Sequence, residues 1–317
     1  MPRPKRKKKS GPFSFFKLKA KTKKRLVRLS LFFNLTVLIL LVLAVQRQSP
    51  ATVFQNTLRF FSVPFQNIHL PKISRPISKK AIPSAASPRM LSAGKPKIVI
   101  VLDDMGHTMN DRDSLRALGR DVTYAILPHL TYSRYFAILS QETGAEVILH
   151  QPFEASDGTI PGPGLITDRM PESQSLAVLR HGLDSVPNHR GVNNHMGSRG
   201  TSDPALMGPI LQELKRRNLF FLDSMTSSKS VAYPMARQMG LPALKRDVFL
   251  DNVDDTAAIR GQLQKLVKIA RQKGYAVGIG HYHPKTLVVL RSDIPALKAA
   301  GLELVSLQEL ILFLEKN

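Results

Sequence analysis

Short apolar runs and longer stretches of helical period alternate through the last two thirds of this chain. The runs at 97–103, 121–127, 145–150, 190–195, 218–223, 246–251, 275–281 and 302–305 have the length and composition of buried strands. The stretches between them carry helix punctuation. Asp203-Pro204 supplies a cap and a first-turn proline ahead of a helix over 206–217. Asp255 or Thr256 caps a helix whose Ile259, Leu263, Leu266, Val267 and Ala270 share one face, stopped at Gly274. Ser306 and Glu309 form a capping box for a last helix. Repeated strand–helix alternation predicts an α/β fold, a parallel sheet with helices outside, open or closed into a barrel.

Hydrophobicity takes another form earlier. Leu29 to Val45 is uncharged and rich in Leu, Val, Phe and Ile, at the short edge of what crosses a bilayer as a helix. Residues 1–28 before it are crowded with Lys and Arg and contain no acid. The positive-inside rule then places 1–28 in the cytoplasm and everything after the span outside. No clear small-x-small cleavage site follows Val45, which favours a retained anchor over a cleaved signal; cleavage would instead give a secreted protein. Residues 46–96, with seven scattered prolines among Ser, Lys and Gln, read as a linker. The domain of ordinary globular composition is 97–317.

Charge changes the picture only by its placement. The net charge of +23 would ordinarily suggest nucleic acid. Yet 22 of the 46 basic residues precede Asp103, the first acid in the chain, leaving 24 against all 23 acids. The excess belongs to the segments around the apolar span, so the expected partner is a membrane and no nucleic acid is expected. The absence of cysteine excludes disulfides, thiol catalysis and zinc–thiolate sites.

Six of the strand-like runs end in polar groups able to do chemistry: Asp103-Asp104, His150 with Glu154 beyond it, Asn193-Asn194-His195, Asp223-Ser224, Asp251, and His281-Tyr282-His283. In parallel α/β folds the site lies at those C-terminal strand ends. Imidazole and carboxylate together suit a borderline divalent ion with a position left for water, a carboxylate to take that water's proton and a second imidazole to protonate the leaving group. Because neighbouring strand residues point to opposite faces, one carboxylate of the Asp103-Asp104 pair is expected to bind metal while the other is aimed elsewhere. No Gly-x-Ser-x-Gly elbow, Walker loop or Gly-x-Gly-x-x-Gly turn is present.

These residues resemble the motifs of the polysaccharide deacetylases. Ile100–Gly106 is similar to their first motif, Gly144–His150 to the approach to the second, and Ile279-Gly280-His281 with Thr286 to the last. The forms His150-Gln151-Pro152-Phe153-Glu154, Asn193–Ser198 and Leu222-Asp223-Ser224 resemble the divergent branch found in bacterial envelopes. The resemblance covers roughly 97–314. It implies a distorted (β/α) barrel, a divalent metal (zinc foremost) and removal of acetyl groups from an N-acetylated glycan. Carried over, Asp103 is the general base, Asp104 and His150 are metal ligands and His281 is the general acid.

The main family's second metal histidine is replaced here by Glu154, and its Arg-Pro-Pro motif is not recognisable. A carboxylate can stand in for imidazole on zinc, or His195 can complete the site from the neighbouring strand; imidazole is the better ligand, which favours His195. Glu154, Asn194, Asp223, Ser224 and His283 remain as candidate substrate-binding residues. Alternatively Asp223-Ser224 caps a helix and His283-Pro284 shapes a turn. The expected protein is a single-pass inner-membrane deacetylase with an extracytoplasmic, periplasmic catalytic domain. The alternative is a catalytically silent relative serving as a glycan-binding or envelope-assembly module.

Overall fold

Alternation inside each apolar run decides how the sheet is used: one set of side chains faces inward, the other meets a layer of helices. The computed structural model describes residues 94–109 and 111–316, all within the second of the chain's two units, Lys79–Asn317. The expected cytoplasmic segment, membrane span and nearly all of the linker lie outside the described residues. No helix among the described residues is long and apolar enough to cross a membrane.

The strands are β1 (Lys97–Met105), β2 (Thr123–Ile126), β3 (Glu146–Phe153), β4 (His189–Met196), β5 (Phe220–Asp223), β6 (Ala243–Lys245), β7 (Val248–Phe249), β8 (Tyr275–His281) and β9 (Glu303–Leu304). The helices are α1 (Arg112–Leu118), α2 (Ser133–Thr143), α3 (Glu172–Ser185), α4 (Pro204–Arg216), α5 (Ala232–Gln238), α6 (Thr256–Lys273), α7 (Pro284–Ala299) and α8 (Leu307–Lys316). Every pairing is parallel, in the order β6-β5-β4-β3-β2-β1-β8-β7, with β9 added on β1. β6 and β7 stand at opposite ends of that order, yet only Arg246 and Asp247 separate them along the chain. The Arg246 N–H donates to the Asp223 carbonyl at 3.0 Å and the Asp247 N–H to the Val277 carbonyl at 2.8 Å. The sheet is therefore curled, with its two ends brought together but not paired. Ala243–Lys245 was not among the expected strands, because three residues are too few to display a period.

Inside the curl, Val99 and Val101 of β1, Ala125 of β2, Ile148 of β3, Phe220 and Leu222 of β5 and Val277 and Ile279 of β8 form one apolar cluster. Leu307, Leu310 and Ile311 of α8 belong to it and close the N-terminal end of the strands. The alternate residues, Ile98, Ile100 and Leu102 for example, join the larger cluster formed with the surrounding helices. Gly191 of β4 leaves room for this packing: a Cβ there would lie 2.4 Å from the Phe220 ring.

The helix ends obey their local signals. Asp203 accepts from the Ala205 N–H and Asp255 from the N–H groups of Ala257 and Ala258, while Gly274 ends α6 at a φ of 89°. The Ser306–Glu309 box closes reciprocally, Ser306 N–H to Glu309 at 2.9 Å and Glu309 N–H to Ser306 Oγ at 3.1 Å. A long-range partner adds to it. The Glu146 carboxylate, at the start of β3, accepts from the N–H groups of Leu307 and Gln308, both at 2.9 Å.

Candidate metal centre

Following the inward positions toward the C-terminal strand ends, the apolar layers give way to a polar one. Val99, Val101 and Asp103 share a face of β1; Ile148 and His150 share one of β3; Gly191, Asn193 and His195 share one of β4; Val277, Ile279 and His281 share one of β8. Register then sets neighbours across strands: Asp103 opposite His281, and His150 opposite Asn193.

Asp104 breaks the alternation. Its φ is 61°, in the left-handed region, and the β1–β2 register shifts between Leu102 and Met105. This twist returns Asp104 to the face it would otherwise leave, so both carboxylates reach the same centre; the expected divergence of the pair does not occur. A left-handed non-glycine residue costs on the order of 1–3 kcal/mol and tends to persist where function requires it. Met196 and Met225, just past the inward residues of β4 and β5, also have φ of 51°.

Asp104 Oδ1, His150 Nε2 and His195 Nδ1 face one another. The separations are 3.1 Å from Asp104 to His150, 2.9 Å from Asp104 to His195 and 3.1 Å between the two imidazoles. Ligand atoms at about 2.0–2.1 Å from a tetrahedral zinc would lie about 3.3 Å apart, so this triangle is close to the size of three ligands on one ion. Its chemistry fits as well. The His150 Nδ1 is 2.8 Å from Asn193 Oδ1, a carbonyl that can only accept, so Nδ1 carries a ring proton and Nε2 is the nitrogen available to an ion. With His150 Nε2 and His195 Nδ1 unprotonated, three lone pairs would converge on one spot that a cation could fill. Against the opposing effect of burial, hydrogen bonds and charge from His150 and His195 hold Asp104 well below the usual carboxylate range. Burial likewise opposes a proton on His150, but Asp103 and Asp104 outweigh it and raise its pKa. Asp104, His150 and His195 are thus a group that could hold a metal ion.

Two further groups flank it. Asp103 Oδ2 lies 3.5 Å from His150 Nε2, and its other oxygen accepts from Asn193 Nδ2 at 2.9 Å. Burial, then the Asp104 charge, raise the Asp103 pKa against the pull of His150 and Asn193. On the opposite side His281 Nδ1 meets Asp251 Oδ1 at 3.0 Å, and its Nε2 is 3.7 Å from Asp104 Oδ2. Asp251 Oδ2 is held by the His281 N–H at 2.7 Å and the Thr286 hydroxyl at 2.6 Å. Burial lowers the pKa of His281, but Asp251 first, then Asp104 and Asp103, push it up to about 9. His150 is 2% exposed while Asp104 and His281 keep 29% and 23%, so the centre is closed from below and open at the strand ends.

The other expected site residues fall as follows. His195 is in the cluster; Glu154 is not, its carboxylate accepting from the Asp168 N–H at 3.1 Å and lying 3.8 Å from Arg199. Asn193, rather than Asn194, faces inward. The Asn194 amide is spent on the Ser224 N–H, the Met196 carbonyl and Thr226. Asp223 points outward and organises the next loop through the Met225 N–H, Ser230 and the Tyr233 N–H, whereas Ser224 faces in and meets Asn193 at 3.1 Å. His283 is exposed and stacks on His281 with centroids 5.2 Å apart. Asp251, His281 and His283 also lie close enough to be a second ligand set, but both Asp251 oxygens are already engaged by His281 and Thr286. Asn193 and Asp251, both named among the polar strand ends, had been given no role; the face shared by Asn193 and His195, two residues apart, is the signal for the first.

A curled parallel sheet with carboxylate and imidazole groups gathered at its C-terminal rim defines an α/β protein with a candidate metal centre at the strand ends. Residues 100–311 match the family model described as divergent polysaccharide deacetylase, and the chain belongs to that family. Its relatives include the uncharacterized protein YibQ of Escherichia coli (strain K12), 33% identical over 213 residues, covering 65% of this chain and 67% of that one. An uncharacterized protein of Haemophilus influenzae is 32% identical over 203 residues, covering 64% and 72%. Among solved structures, uncharacterized protein ATU2773 from Agrobacterium tumefaciens C58 shares the fold with a TM-score of 0.67 at 24% identity, covering 70% of this chain and 92% of that one.

Proposed function

We propose that this protein is a metal-dependent hydrolase that removes acetyl groups from an N-acetylated envelope polysaccharide or oligosaccharide. The observation that carries the reading is the Asp104–His150–His195 triangle standing between a buried carboxylate, Asp103, and the Asp251-supported His281. Three protein ligands with the outer side open match the pattern of catalytic rather than structural zinc. A divalent cation there, zinc for preference, supplies Lewis acidity to the acyl oxygen and to water.

The chain's own residues would do the rest. Asp103 takes a proton from water as its oxygen adds to the acetyl carbon, a step for which a raised carboxylate pKa is suited. His281 gives its Nε2 proton to the sugar nitrogen as the carbon–nitrogen bond breaks, and Asp251 stabilises the imidazolium before that transfer. Acetate and a free amine result. Residues 29–45 anchor this domain to the inner membrane, with catalysis on the periplasmic side.

The test is hydrolysis of N-acetylglucosamine oligosaccharides by purified full-length protein, with metal content measured alongside. Metal bound by the wild type and lost in Asp104→Ala and His150→Ala, together with acetate release, is the expected result. Metal binding without acetate release from any acetylated glycan would replace the enzyme by a glycan-binding module. Absence of metal binding would remove the hydrolase reading altogether.

A further inference from the structure

One amide touches both halves of this centre. Asn193 is fully buried and sits on β4 opposite His150 on one side and Leu222 on the other. Its Oδ1 faces His150 Nδ1 at 2.8 Å; its Nδ2 faces Asp103 Oδ1 at 2.9 Å and Ser224 Oγ at 3.1 Å. The amide can sit only one way round. Reversed, its carbonyl would oppose the Asp103 carboxylate, acceptor against acceptor, between two buried side chains. With the NH2 committed to Asp103 and Ser224, the carbonyl must take the proton of His150 Nδ1. In the neutral ring the lone pair of His150 is then on Nε2, the atom facing Asp104 and His195.

We propose that Asn193 is the positioning residue of this site, fixing the tautomer of the ligand His150 and the orientation of Asp103 through opposite ends of one amide. The proposal rests on the metal-hydrolase reading and adds a residue to it. Asn194 cannot take the role, because its amide is consumed on the outer face. Partners that orient a metal-bound histidine typically contribute 10–100-fold in metal affinity.

Two substitutions separate the two ends of the amide. Asn193→Asp keeps an acceptor for His150 but sets an opposing acceptor in place of the donor to Asp103; Asn193→Leu removes both ends at similar volume. In the full-length protein, cobalt(II) affinity is expected to fall about 10–100-fold in the Leu variant and to stay near wild type in the Asp variant, which releases acetate more slowly. Nitrogen-15 spectra of the zinc-loaded wild type are expected to show His150 protonated at Nδ1, slow to exchange, and metal-bound at Nε2. Equal cobalt affinity in the wild type and Leu variant overturns the proposal, as does equal loss in both variants or a His150 proton on Nε2. Should the Leu variant not melt cooperatively, the Asp variant and the wild-type spectrum decide. A wild type that binds no cobalt or zinc overturns the hydrolase reading itself, whereas a metal-binding wild type with indifferent variants overturns only the role of Asn193.

Discussion

Replacing Asp251 by Asn removes the negative partner that keeps a proton on His281. As the proposed general acid, His281 would carry its proton below about pH 9, and above that pH the rate would fall. Asp251→Asn withdraws the largest favourable contribution and leaves only Asp104 and Asp103 to oppose burial. The alkaline limb of kcat against pH is therefore expected to move down from about 9 towards the ordinary imidazole value of about 6.5. An unmoved limb would mean that another group is the acid. Asp103→Asn makes a separate prediction: acetate release falls by roughly 10²–10⁴-fold while zinc stays bound, because Asp103 is not one of the three ligands. Loss of zinc in that variant would place Asp103 among them.

Strands and helices set the precision with which these groups are held. Gly191 lies two residues before Asn193 on the same face, and a Cβ there would press into the Phe220 ring. Gly191→Ala is expected to destabilise the fold by ~1–3 kcal/mol, read from denaturant midpoints, and to weaken zinc binding by displacing β4. Unchanged zinc affinity would show that β4 absorbs the strain below the site.

At the opposite end of the strands, Glu146 joins β3 to α8. Burial raises its pKa from 4.5 to about 7, although the N–H groups of Gln308 and Leu307 and the Thr123 hydroxyl favour the charged form. Between those pH values the native state holds a proton that the unfolded chain has released. Stability from this group is thus complete below about 4.5 and is lost as pH rises through about 7. Thermal melting should show that decline, and Glu146→Gln should flatten it; an identical decline in the variant would assign it to other groups.

For the molecule as a whole, the centre ties β1, β3 and β4 together, so whatever fills it stabilises the native state alone. An ion at 100 times its Kd contributes about 2.7 kcal/mol. In a domain of this size that corresponds to roughly 5–10 °C in Tm. Chelation should lower the Tm of the full-length wild type by such an amount and leave that of Asp104→Ala unchanged. Equal shifts in both would locate the ion elsewhere.

Local chemistry written in the chain was enough for much of this. Runs ending in Asp103-Asp104, His150, His195 and His281 located strand tips, and Asp203, Asp255 and Ser306 located helix starts, because a cap or a strand period involves residues a few positions apart. Three-dimensional placement decided the rest. The left-handed Asp104 put two carboxylates on one face; register put Asn193 opposite His150 and chose it over Asn194; and the meeting of 251 with 281 supplied the partner of His281. Such outcomes depend on distances between residues tens to more than a hundred positions apart, and only the curled sheet brings those residues within reach of one another.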